Sequence, residues 1–133
     1  MSAARNDLGH VIVNSKAEID LMPWNERDDK PGVRNKILWQ SGDVVLGVMR
    51  IDAGHENPVH THHGAHHHLL IIDGECTILG KRVGPESYIY IPPGVPHGAT
   101  DVGPEGCTFF YTYRPLEDSR LLAAAEPEHG HPV

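Results

Sequence analysis

The chain has 133 residues, a formal charge of −7 with neutral histidines, and 39% hydrophobic residues alongside 14 Gly and 11 Pro. That length suits one domain with a real core, and the Gly and Pro suit many short strands joined by tight turns. An acidic chain with scattered basic residues cannot neutralise a row of phosphates or dock on an anionic bilayer, which argues against nucleic-acid and membrane partners.

The first residues, MSAARNDLGH, lack the apolar core of a signal peptide, and no run approaches a membrane span. A cytoplasmic protein is therefore expected. Cys76 and Cys107, the two cysteines, each sit in an apolar strand-like segment with no C-x-x-C spacing. They read as buried reduced thiols.

Residues 1–32 read as an N-terminal arm, with an edge strand near Val11–Val13, a turn of structure at Ala17–Met22 and a charged loop from Trp24 to Gly32. Trp24 is expected to anchor that arm by packing. From Val33 the pattern turns regular. Val33–Gln40 and Val44–Ile51 read as strands around Ser41-Gly42-Asp43. Val59–His62 follows as extended chain, then His67–Ile72 as a strand. Asp73-Gly74 is a two-residue hairpin signal into Glu75–Leu79. Ser87–Ile91, His97–Thr100 and Cys107–Tyr113 complete the series.

Strands every eight to twelve residues with turns between them predict an all-β sandwich or barrel. After Pro115 the run to Glu126 reads as a short helix and the end as a flexible tail. The expected division is 1–32 arm, 33–114 β-domain, 115–133 helix and tail.

Seven histidines fall between His55 and His68: His55, His60, His62, His63, His66, His67 and His68. On an extended segment His60 and His62 leave the same face, and a third imidazole on the next strand could meet them. Neutral imidazole is a ligand for Zn, Fe, Ni and Cu.

Two spaced motifs give this pattern a family. Gly54, five residues, His60, Thr61, His62, four residues, His67, six residues and Gly74 match G-x5-H-x-H-x(3,4)-E-x6-G, with His67 at the Glu position. Pro92, Gly94 and His97 match G-x5-P-x-G-x2-H-x3-N, with Glu86 at its opening Gly and Asp101 at its closing Asn. The turn which that Gly serves could come from Gly84-Pro85 instead. The chain thus resembles the cupins. The resemblance implies an all-β, single-domain jelly-roll β-barrel with a short N-terminal arm and a C-terminal helical tail.

It also implies one divalent transition metal ion (Zn, Fe, Ni or Mn) held by His60, His62, His67 and His97. His66 is the alternative in the third position, since H-x-H-x3-H also occurs in some cupins; the distance from His67 to Gly74 fits the hairpin register and favours His67. Strand alternation puts His67, Leu69 and Ile71 on one face and His66, His68 and Leu70 on the other. Cupins of this kind line the barrel with apolar and aromatic side chains, and the candidates here are Trp39, Met49, Tyr88, Tyr90, Phe109 and Tyr111, with Phe110 and Tyr113 beside them.

Four neutral ligands leave the charge of the ion uncompensated and favour an anionic guest such as an enolate or phenolate. Polyketide cyclases and O2-dependent dioxygenases among the cupins have that character, with metal-bound water or hydroxide as the base in place of a protein residue. An enzyme of small oxygenated organic molecules is the first expectation. A non-catalytic module that binds a metal or small ligand is the second. A homodimer is the family-level expectation.

Overall fold

Alternation of apolar and polar side chains builds ten strands in the computed structural model, which describes residues 11–115. Before them, α1 spans Lys16–Leu21. Ser15 caps it reciprocally: its Oγ accepts from the Glu18 N–H at 3.1 Å while Glu18 Oε1 accepts from the Ser15 N–H at 2.7 Å. Such a capping box satisfies two backbone donors that a helix start leaves open.

The strands are β1 (Asn25–Glu26), β2 (Val33–Ser41), β3 (Val44–Ile51), β4 (Asn57–His60), β5 (Ala65–Gly74), β6 (Cys76–Ile78), β7 (Lys81–Val83), β8 (Tyr88–Ile91), β9 (His97–Thr100) and β10 (Cys107–Pro115). They form a six-stranded sheet in the order β1-β2-β3-β10-β5-β8 and a four-stranded sheet in the order β4-β9-β6-β7. One core lies between them. Val33, Met49, Ile51, Leu69, Ile71, Ile91, Phe109 and Tyr111 come from the larger sheet, and Cys76, Ile78, Val83 and Ala99 from the smaller. Burying both inner faces in one cluster is what holds two sheets together.

The expected closed barrel is corrected by this topology. The two sheets share no hydrogen-bonded strand pair among the described residues, so the domain is an open, two-sheet sandwich. The cause lies at Asp73-Gly74, read from the sequence as a hairpin. Gly74 has φ +77°, and the chain leaves the six-stranded sheet there to enter the other as β6. A Cβ at Gly74 would come within 1.9 Å of the Gly106 carbonyl oxygen, so the crossing needs glycine. Cys76 and Cys107 begin strands in opposite sheets at this crossing, both fully buried, with Sγ atoms 3.6 Å apart.

The helical tail is corrected at its first residue, because β10 carries the chain through Pro115 as strand. The remainder of that expected helix and tail, 116–133, lies outside the described residues. In the arm, Val11 of the expected edge strand forms a single β-bridge, the turn expected at Ala17–Met22 is helix α1, and a further short strand, β1, lies within the stretch read as loop. The arm docks through Trp24 and Lys36. Lys36 Nζ donates to the Ile19 carbonyl at 2.8 Å and sits 4.4 Å above the Trp24 ring. A cation over an indole face with its charge hydrogen-bonded can tolerate burial, and Lys36 is only 4% exposed. Among the described residues no helix is long and apolar enough to cross a membrane.

Candidate metal centre

Antiparallel pairing of β4 with β9 places His60 directly across from His97. Facing side chains on one ladder meet at about 5 Å, and these two rings lie 4.5 Å apart between centroids. His62 follows β4 in a loop pinned to the Pro92-Pro93-Gly94 turn, where the Gly94 N–H donates to the His62 carbonyl at 2.8 Å. Its ring is 4.8 Å from His60 and 5.3 Å from His97. The ligand-capable nitrogens of His60, His62 and His97 all lie within 4.8 Å of one another.

His67 comes from the facing sheet. Alternation along β5 turns His67, Leu69 and Ile71 into the core and leaves Leu70 and Ile72 exposed. The His67 ring is 5.1 Å from His62 and 5.3 Å from His97, and its Nδ1 is 3.3 Å from His97 Nε2. It stands beside the three-histidine group rather than inside it.

The protonation pattern follows from hydrogen bonds to carbonyls, which only accept. His60 Nδ1 donates to the Pro58 carbonyl at 2.8 Å, and His97 Nδ1 to the Val95 carbonyl at 2.9 Å. Each ring therefore carries its lone pair on Nε2, the arrangement that orients metal-binding imidazoles. The Nε2 atoms of His62 and His67 are buried with no hydrogen-bond partner. A buried ring nitrogen without a partner is costly unless something fills the place.

Burial, then the neighbouring imidazoles, pushes His62 from 6.5 down to about 4 and His67 down to about 3. Burial likewise lowers His60. His62 and His67 are thus neutral at pH 7, as ligands must be. A divalent transition metal fits this donor set, and neutral nitrogen donors do not suit Mg or Ca.

Behind the cluster is a chamber of about 20 Å³ between the sheets, lined by His67, His97, Met49, Asn57, Leu69, Phe109, Ile91 and Tyr113 among others. Of the expected wall residues, Met49 and Phe109 reach it. Tyr111 is 1% exposed in the core, its hydroxyl 3.1 Å from Asn35 Nδ2. Trp39, Tyr88 and Tyr90 are 43%, 62% and 43% exposed and do not reach the chamber.

His66 and His68 are turned to the outer face. There the His66 Nδ1 is 2.7 Å from the Tyr90 hydroxyl and the His68 Nδ1 2.7 Å from the Tyr88 hydroxyl. His55, Glu56 and Asp101 line an open groove at the other end of β4 and β9, away from His60 and His97. Asn57 was not visible as a site residue in the sequence. Only the pairing of β4 with β9 shows it lining the chamber.

Residues 14–117 match the ChrR cupin-like domain. The chain belongs to the ChrR cupin-like family. Solved cupin structures share its architecture. An RmlC-like cupin from Shewanella frigidimarina is 23% identical with a TM-score of 0.62, over 76% of this chain and 90% of that one. The polyketide cyclase RemF from Streptomyces resistomycificus is 20% identical with a TM-score of 0.64, over 74% and 76%.

Rhodobacter sphaeroides SigE in complex with the anti-sigma ChrR gives 21% and 0.62, over 72% of this chain and 51% of that one. At these identities the likeness speaks to the fold. No curated protein matches this cupin-like chain in sequence.

Proposed function

We propose that this cupin-like domain is a metal-dependent enzyme of small oxygenated organic molecules, with His60, His62, His97 and His67 holding one divalent ion. The observation that carries the reading is the set of prepared nitrogens: two rings fixed through Nδ1 to carbonyls, and two with buried, unpartnered Nε2 atoms. The ion would supply Lewis-acid chemistry, or redox chemistry if it is iron.

The chain's own residues set the limits on a guest. His67 and His97 are each 5% exposed, whereas His60 and His62 are half-buried, so a guest approaches on the His60–His62 side. The inner chamber has about 20 Å³, too little for a polycyclic body, which favours a compact chelating substrate with its bulk outside. The Tyr113 phenol, pushed up to about 12 by burial and then by Tyr111, stays protonated, and its ring lies beside His62 and His67. Enolate or phenolate substrates of the cyclase, isomerase, lyase or dioxygenase type suit these features.

A second reading is a non-catalytic module that binds metal or a small ligand. The small chamber and the family favour it, because ChrR itself was solved as an anti-sigma protein with SigE. The homodimer expected for the family would use the outer sheet face where Leu70, Ile72, Tyr88 and Tyr90 are exposed, a matter for sedimentation analysis.

Minimal chelators separate the enzyme reading from the module. Acetylacetone or catechol added to cobalt-loaded protein should produce a saturable change in the visible spectrum that His97→Ala abolishes. A spectrum indifferent to both chelators removes the enzyme reading and leaves the module.

A further inference from the structure

Two buried polar atoms without partners meet the same small chamber. Asn57 is 8% exposed and its Oδ1 is buried with no hydrogen bond; His67 is 5% exposed and its Nε2 is in the same condition. Both residues line the cavity of about 20 Å³, whose other walls include Met49, Leu69, Ile91 and Phe109. A water needs about 10–15 Å³ and at least two polar partners. The chamber provides room for one.

From these observations we infer that Asn57 and His67 hold a single water between them, and that this bridge makes Asn57 a positioning residue for His67. The proton count supports it. His97 Nδ1 donates to Val95, so His97 Nε2 carries a lone pair and the contact at 3.3 Å takes its proton from His67 Nδ1. In the metal-free protein His67 Nε2 is then an acceptor, as is Asn57 Oδ1, and one water donates to both.

With an ion present the same contact reads differently. An ion held by both residues would draw on His67 Nδ1 and His97 Nε2, which the fold already brings to 3.3 Å of each other. His67 then offers the lone pair of Nδ1 and carries its proton on Nε2, donating to the water, which turns and donates to Asn57. Asn57 serves both states, and the proton of His67 changes nitrogen between them. This step rests on the fourth-ligand reading above; the water bridge in metal-free protein does not.

The test uses nitrogen-15 labelled full-length protein and zinc. Side-chain NMR should show His67 protonated on Nδ1 without zinc and on Nε2 with one equivalent. Asn57→Leu, close to Asn in shape, should weaken zinc binding about 10- to 100-fold, the range for losing a group that orients a ligand. Asn57→Asp, which keeps an acceptor oxygen, should restore most of it.

A His67 whose proton stays on Nδ1 when zinc binds overturns the inference, as does Asn57→Leu binding zinc within about threefold of wild type. Wild-type protein that takes up no zinc refutes the metal reading itself. The bridge then stands or falls on the metal-free arm, where Asn57→Leu should shift the His67 Nε2 resonance and an unmoved resonance overturns it.

Discussion

His67 and Tyr113 lie opposite each other on β5 and β10 and stack, ring centroids 4.4 Å apart with 30° between planes. The Tyr113 ring also lies 4.8 Å from His62. One aromatic side chain therefore supports two imidazoles from different elements. Tyr113→Ala should destabilise the metal-free protein by about 2–4 kcal/mol, the scale for removing a largely buried aromatic. Tyr113→Phe keeps the stack and should cost less than about 1 kcal/mol. Urea denaturation of both variants checks this, and equal losses would show that the hydroxyl, not the stack, carries the stability.

Glu86 has φ +70°, a left-handed backbone at the position where the second cupin motif has glycine. A side chain there costs about 1–2 kcal/mol, and the extra freedom of an unfolded glycine returns about 0.5–1 kcal/mol of that. Glu86→Gly should thus stabilise the fold by about 0.5–1 kcal/mol. Glu86→Ala, which keeps a Cβ, should give no such gain. Thermal unfolding of the two variants separates backbone strain from loss of a surface charge.

Acid should destabilise the metal-free protein through the same histidines that make it a ligand set. Unfolded imidazoles take up protons near 6.5, while folded His62 and His67 resist until about 4 and about 3. Between those limits the unfolded state binds more protons, so stability is full above pH 6.5 and falls steadily as pH drops towards 4. Melting temperature against pH should show that decline in wild type and a shallower one in His67→Ala. A decline that is equally steep in the variant would assign the acid sensitivity elsewhere.

The outer-face pair makes the complementary prediction. Each of His66 and His68 already has a tyrosine hydroxyl partner on the side of β5 away from the chamber. His66→Ala and His68→Ala should leave zinc affinity within about threefold of wild type, because neither ring orients a ligand nitrogen. Isothermal titration decides this. A loss of tenfold or more in His66→Ala would bring back the H-x-H-x3-H alternative.

Much of this arrangement was legible in the residues, for identifiable reasons. Period-two alternation along 65–74 put His67 on the opposite face from His66 and His68, though it left open which face turns inward. The bounds of β3 and β9 follow from turn residues at both ends. What escaped were facts about which strands pair. Asp73-Gly74 has the composition of a hairpin, yet the close approach to Gly106 makes it a crossing between sheets.

The distance from His67 to Gly74 therefore carries no hairpin register, and which face of β5 is buried is settled by the packing of the two sheets. Tyr88 and Tyr90 have the composition of a pocket wall, but the register of β8 sets them opposite Leu70 and His68 on the outer face of β5. Gly84-Pro85 does open the turn, closed by the Ser87 N–H donating to the Gly84 carbonyl at 3.0 Å, and what the sequence did not show is that Glu86 within it is left-handed. Asn57 gave no local signal, since its place depends on the register of β4 with β9.

The central claim is that the prepared nitrogens hold one transition-metal ion, and elemental analysis of untagged protein tests it most directly. The account predicts about one ion per chain in wild type, retained in His66→Ala and lost in His62→Ala, whose Nε2 is buried without a partner. Wild type free of transition metal after growth in metal-replete medium, or His62→Ala with undiminished content, would contradict it.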